Sequence, residues 1–395
     1  ADGAYGLHAD AGGVWNNYAA IVTNGSDAFG MWATAGSEIR NSRARISGTW
    51  RIGSITTNGF GSHGMVADGG SKAWNSEAIR TFGPEAYGML ATGGSTASNF
   101  ASFTDYIVVV PFTNYRAGTI ATSGDMSHGM VAEGAGSQAV NPGTIRTSGA
   151  GAYGMLAENG ASADNVYSSQ TRTTGSIVTM GPGSHGIVAS GDAQASNSGS
   201  IRTSGEGAYG MLAAGGSEAS NKGSLGLSIS PLGLSVTRAT IATSGDMSHG
   251  MVADGEGSVA WNAGSIATDG IAAEGMRAVN GGVVHNYAPQ ETSLLSYSVS
   301  LPITGVINTA GNDASGMSAE GSGSQAWNPG SITTQGSNAY GMVARDGGMA
   351  FNFDITKIAW DLPNSLGGEG SLPVLPLTGR ITTYGEGSHG MFAQG

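Results

Sequence analysis

The sequence predicts an all-β protein: a single-stranded parallel β-helix (solenoid) of about 12–13 rungs, continuous over residues 1–395. Three observations carry the prediction. A unit of the form Ile-x-Thr-x-Gly, four residues, then Gly-Met-x-Ala recurs along the whole chain, 24 or 25 residues long in its short form. Inside the unit, apolar residues alternate with period two rather than 3.6, the mark of short strands. Glycine is abundant, 69 of 395 residues, yet it falls at fixed places in the unit and not at every third residue as collagen requires.

The second Gly of the unit falls at thirteen positions, from Gly6 and Gly30 to Gly390. The residue after it is Met except at Leu7 and Ile187, and two residues further is always Ala. Eleven or twelve residues after each of these Gly except the last comes an Asn, from Asn17 through Asn165 to Asn352. Nine residues before each Gly from Gly30 onward is Ile, and two after that Ile is Thr. One unit therefore supplies about three strands and three corners. No unit can bury its apolar face alone, so units must stack, with like residues in columns ~4.8 Å apart. About twelve rungs make a thin core roughly 60 Å long on that spacing.

Each column has a physical reason. Inward Ile, Met and Ala form the core, with Met filling irregular space. An inward Thr fits the pleat through its methyl, and its hydroxyl can bond a nearby backbone group. Stacked Asn can pass amide hydrogen bonds from rung to rung. Corner Gly either supplies positive φ or admits a close backbone approach. The residue before the Gly alternates between Tyr and His, as at Tyr87, His128, Tyr153 and His185, with Phe29, Glu274 and Ser315 as departures. Successive histidines are separated by a Tyr rung and stand ~10 Å apart, so this column reads as aromatic stacking rather than a metal site.

Between Asn and the next Ile, every second rung opens into an insertion: 42–54, 100–119, 166–176, 222–240, 287–306 and 353–380. All six leave the helix along one edge, and several alternate around Pro or Gly as projecting β-hairpins do. They hold seven of the eleven Pro, nine of the sixteen basic residues and five of the 28 acidic ones. The insertions thus carry +4 and the scaffold −16, seven basic against 23 acidic. The insertions can pack on one another over a flank, bind a macromolecule, or do both; loops on a rigid solenoid commonly carry function. Candidate partner-binding residues are Arg43, Arg45, Trp50, Tyr106, Val109, Phe112, Tyr115, Arg116, Leu225, Leu232, Leu294, Leu295, Tyr297, Trp360 and Leu362.

Catalytic chemistry finds little support. There is no Cys, hence no disulfide framework, Cys-based zinc site or thiol nucleophile. An interrupted acid column at Asp10, Asp68, Glu133, Glu158, Asp254 and Glu320 reads as a solvated corner before it reads as paired glycosidase carboxylates. No nucleophile elbow, P-loop or calcium nonapeptide occurs, and no catalytic residue, metal or cofactor is assigned. The net charge of −12 disfavours a nucleic-acid partner. No apolar run reaches the ~18 residues that span a bilayer.

The run Ala152-Tyr-Gly-Met-Leu-Ala, an Asn corner, then Gly-x-Ile-x-Thr-x-Gly resembles the passenger domains of Gram-negative autotransporters, of the pertactin-like type, which implies a right-handed parallel β-helix. The resemblance implies a passenger exported through the periplasm and outer membrane, displayed on the cell surface or released. Its membrane contact would then run only through a C-terminal translocator barrel, and the chain is read as a processed or truncated passenger. The expected function is an adhesin or virulence factor that binds a host surface protein, serum protein or glycan, immune evasion included. A self-associating passenger that drives bacterial aggregation is the alternative, and a carbohydrate-active β-helix the second alternative.

Overall fold

The computed structural model describes residues 2–46, 48–107, 110–228, 233–294, 297–356, 359–360, 370–371 and 375–395. Within the hairpins at 101–114, 223–237, 289–302 and 354–377 the description stops at the backbone. The chain winds as a right-handed parallel β-helix with three strands per rung. A 13-stranded sheet runs from Leu7–Ala9 to Met391–Gln394, and carries the Met and Ala columns. A 12-stranded sheet from Val14–Asn17 to Met349–Phe351 ends most of its strands on the Asn column. A second 12-stranded sheet, Ala20–Asn24 to Arg380–Thr383, carries Ile and Thr. We call these the Met, Asn and Ile sheets. Every rung pairs with the next in register, so Met155 faces Ile187, Asn165 faces Asn197 and Ile177 faces Ile201.

The core is where the three inward columns meet. Met155, Ala157, Ala163 and Ile177 represent one rung, and all are fully buried. The third wall is built mostly from Ala two residues before the ladder Asn, with Ile39 and Val284 as larger members, which keeps the cross-section narrow. The invariant Gly before each Met is a close-approach glycine. A Cβ at Gly154 would overlap the Ile177 Cγ2 methyl and the Gly186 carbonyl. Of the two reasons open for corner Gly, steric room applies to this column; positive φ belongs three residues earlier, at Gly151, Gly183 and Gly207.

The polar columns are satisfied internally at most rungs. Asn side chains form an unbroken ladder from Asn17 to Asn352, each Nδ2 donating to the next Oδ1 at 2.7–3.0 Å. Most inward Thr hydroxyls donate across the following corner, Thr147 to the Ala152 carbonyl at 2.7 Å and Thr179 to that of Ser184 at 2.6 Å, while those of Thr57 and Thr81 are buried without a partner. Both arrangements remove the cost of burying an unpaired polar group.

The Tyr/His alternation is one sign of a two-rung repeat. Rings stack along the column at centroid spacings of 4.6–5.1 Å from His63 to His249. The Ala-Tyr-Gly rungs at Tyr87, Tyr153 and Tyr209 are each clasped by the Ser-His-Gly rungs beside them. The Tyr153 N–H donates to Nδ1 of His128 below at 2.9 Å, while the Ala152 N–H donates to Oγ of Ser184 above at 3.0 Å. The same pair of bonds recurs at Tyr87 with Ala86 and at Tyr209 with Ala208. Imidazole and hydroxyl thus supply acceptors that a Tyr or Ala rung lacks.

Candidate macromolecule interface

The corner between the Asn and Ile sheets positions the candidate site. Here Asn Oδ1 accepts a backbone N–H two residues on, as Asn141 does from Gly143, which closes the short turn. The column two residues before each Ile is mostly Gly, since a Cβ at Gly143 or Gly199 would meet backbone carbonyls and ladder amides. On alternate rungs the chain leaves this corner as an antiparallel hairpin. Arg43–Ile46 pairs with Thr49–Ile52, Phe100–Ile107 with Val110–Ala117, and Gly223–Ser228 with Gly233–Arg238. Tyr287–Leu294 pairs with Tyr297–Thr304, and Phe353–Thr356 with Leu375–Thr378. The 166–176 segment pairs only Tyr167 with Thr174 and Ser168 with Thr173.

Two junctions bind neighbouring hairpins together. Glu77 occupies the corner column that holds Gly in most rungs, and its carboxylate is almost completely buried. The Arg43 guanidinium of one hairpin meets it through two bonds, Nε–Oε1 at 2.5 Å and Nη2–Oε2 at 3.0 Å. Arg116 of the next hairpin approaches the same carboxylate at 3.7 Å. The bond to Glu77 holds the Arg43 pKa above its ordinary value. Arg43 also lies over the Trp50 ring, 5.7 Å from its centroid, a cation–π contact. At the other end, Val299 pairs with Trp360, which pairs with Gly370, so two successive insertions share a four-stranded sheet.

Hairpin roots are seated on aromatic residues of the outward face of the Asn sheet. Phe100 meets Trp74 edge-on at 5.5 Å, Tyr287 meets Trp261 and His285, and Phe353 meets Trp327 and Phe351. Those supporting residues lie outside the candidate set read from the sequence. Their signal was present: Trp74, Trp261 and Trp327 each directly precede a ladder Asn, on the rung before an insertion.

The sequence-derived candidates divide by placement. Arg43, Trp50 and Arg116 meet at the first junction. Arg45 is exposed and bonds the Gly48 carbonyl, and Tyr115 is 40% exposed. Tyr106, Phe112, Leu225, Leu294, Tyr297 and Trp360 lie on hairpin strands, placed by backbone pairing. Val109, Leu232, Leu295 and Leu362 lie outside the described residues. The acid column shows no facing pair across a cleft; Asp68 accepts from Thr92, Glu158 from Ser190, and Glu320 binds Arg277. Among the described residues no three His, Asp or Glu side chains converge as a metal site.

A model of the BigA third pectate lyase-like domain matches residues 10–168, 186–287 and 233–354, well over half the chain. The chain belongs to that family. The resemblance to autotransporter passengers is borne out at the level of the parallel β-helix. No curated protein matches the chain significantly. A chain in the cryo-EM structure of the Vag8–C1 inhibitor complex is similar over 88% of this chain and 89% of that one, at 14% identity and a TM-score of 0.42.

Proposed function

We propose that this β-helix is a secreted or surface-displayed bacterial passenger that binds a host macromolecule through its row of hairpins, as an adhesin or by capturing a serum protein. The observation that carries the reading is the joined row itself. Six insertions leave one corner, neighbours are linked through Glu77 and through Val299–Trp360, and the row is +4 on a scaffold of −16. A rigid helix that repeatedly opens the same corner builds an extended surface, the usual way solenoids bind partners. Of the charged groups at this corner, Arg43 and Arg116 are tied to Glu77 as a structural junction.

The test deletes 100–119 and 287–306 separately and together, joining each Asn to its Ile by the Pro-Gly-Thr turn found at 142–144. Loss of binding to host cells and serum proteins with unchanged thermal unfolding supports the reading. Unchanged binding in the double deletion defeats it. Self-association is the second reading, favoured by Phe60, Phe82, Met126, Met180 and Met247, which are exposed on the scaffold away from the hairpins. Clumping that survives the deletions and is lost on replacing Phe60 and Phe82 with Ser would support it.

A further inference from the structure

The outward column of the Asn sheet contains a gap in an aromatic stack. Trp261 stacks on His285 at 4.1 Å and 9°, His285 is followed by Trp327, and Trp327 stacks on Phe351 at 4.1 Å. On the other side of Trp261 the ring column stops. The next two rungs place Ser220 and Ser196 at the same register, and the third places Asp164. A cavity of about 420 Å³ opens there, bounded by Trp261 at one end and Asp164 at the other. That volume falls within the ~300–1,000 Å³ typical of small-ligand sites.

The walls of the cavity are chemically uneven. Its end wall is an indole held rigidly by His285 and by the edge of Tyr287. Its floor and sides present Ser220, Gln194 and Glu218, whose side chains make no hydrogen bond or ion pair among the described residues, with Lys222 and Ala288 added from the roots of two insertions. Asp164 accepts from Ser196 at 2.5 Å, leaving its other oxygen uncommitted to that bond. A ring resting on Trp261 would continue the stack at the level of Ser220, one strand spacing of ~4.8 Å on. It needs an apolar face for the indole and a polar rim for the amide, hydroxyl and carboxylates.

We propose that this notch binds a neutral hexopyranose unit of a glycan, stacked on Trp261 and held at its rim by Gln194, Glu218 and Ser220. A pyranose has C–H groups on its face and hydroxyls around its edge, which matches both kinds of wall. Two carboxylates, Glu218 and Asp164, against the single ammonium of Lys222 leave the notch net negative, which disfavours sulfated, phosphorylated or sialylated sugars. The site stands on the Asn sheet and takes only Lys222 and Ala288 from the roots of neighbouring insertions.

Saturation-transfer NMR on the full chain tests it, with the methyl glycosides of glucose, galactose, mannose and N-acetylglucosamine as neutral probes and sialyllactose as the anionic one. Wild type is expected to bind at least one neutral probe at roughly millimolar Kd. Trp261→Ala is expected to lose at least ~10-fold in affinity, since it removes the stacking face. Ser220→Phe, which fills the notch with a ring of the kind this column accepts at Phe351, is expected to lose binding with thermal unfolding unchanged. Deleting 100–119 is expected to leave binding intact, which separates this site from partner binding through that hairpin. No transfer to any neutral probe, undiminished binding in Ser220→Phe, or tighter binding of sialyllactose would each overturn the proposal.

Discussion

Single residues in this helix are constrained by the rung above and the rung below. Asn165 accepts from Asn141, and donates to Asn197 and to the Gly175 carbonyl. Asn165→Ala orphans several buried partners at once and is expected to cost about 3 kcal/mol. Asn17→Ala, at the first ladder position, is expected to cost about half as much, because it removes fewer buried bonds. The shift in urea midpoint at unchanged slope measures both. Glycines divide in the same way. At Gly183 φ is +61° but an added Cβ meets nothing, so Gly183→Ala is expected to cost about 1 kcal/mol. Gly154→Ala forces methyl and carbonyl apart in a packed wall and is expected to cost about 3 kcal/mol. Equal costs would mean that backbone conformation, not close approach, holds that column.

At the scale of elements, the aromatic column couples stability to pH. Burial depresses the imidazoles of His63, His128 and His185 from 6.5 to about 4, and burial with nearby Arg277 takes His249 to about 3. Each Nδ1 accepts a backbone N–H, a role the protonated ring cannot fill. The unfolded chain therefore binds more protons than the folded one between about pH 6.5 and 4. Stability from these rings is complete above pH 6.5 and falls as pH drops toward the folded values, by at most about 3 kcal/mol for each of the first three rings and about 5 kcal/mol for His249. Thermal scans across that window are expected to show a steep fall, shallower in His128→Gln. Hairpins obey a different element-level rule. Glu77→Gly restores the residue most common in its column and releases Arg43 and Arg116 together. The helix is expected to keep its melting temperature, while trypsin cuts faster at Arg43, Arg45 and Arg51. Unchanged cleavage would show that hairpin packing does not depend on this carboxylate.

The whole molecule concentrates like charge. Glu133 and Glu158 stand directly opposite each other on paired strands, within a scaffold of net −16. Charges of one sign along a thin rod repel, and salt weakens that repulsion within a Debye length of ~10 Å at 0.1 M. Raising monovalent salt from about 0.01 M to about 0.15 M is expected to raise the melting temperature. A fall would mean that attractive pairs such as Arg43–Glu77 and Arg277–Glu320 outweigh the repulsion.

The fold was legible in the sequence because a solenoid writes each column once per turn. Ile145 and Ile177, Met155 and Met211, Asn141 and Asn165 repeat what every rung must satisfy locally, so spacing alone revealed strands, corners and inward faces. The Tyr/His alternation was visible too, but not its cause. Only the folded rungs bring the Tyr153 amide to His128 and the Ala152 amide to Ser184. Contacts made once were illegible for the same reason. Glu77 departs from its column to meet two arginines, and Trp261 faces a gap left by two serines. Periodicity records what every turn needs, whereas a junction or a notch exists at one height and depends on side chains far apart in the chain. Sequence by itself determined the helix, its register and the corner where hairpins leave. Tertiary structure decided which hairpins join and where the aromatic stack opens, because those depend on distances between rungs that no repeat encodes.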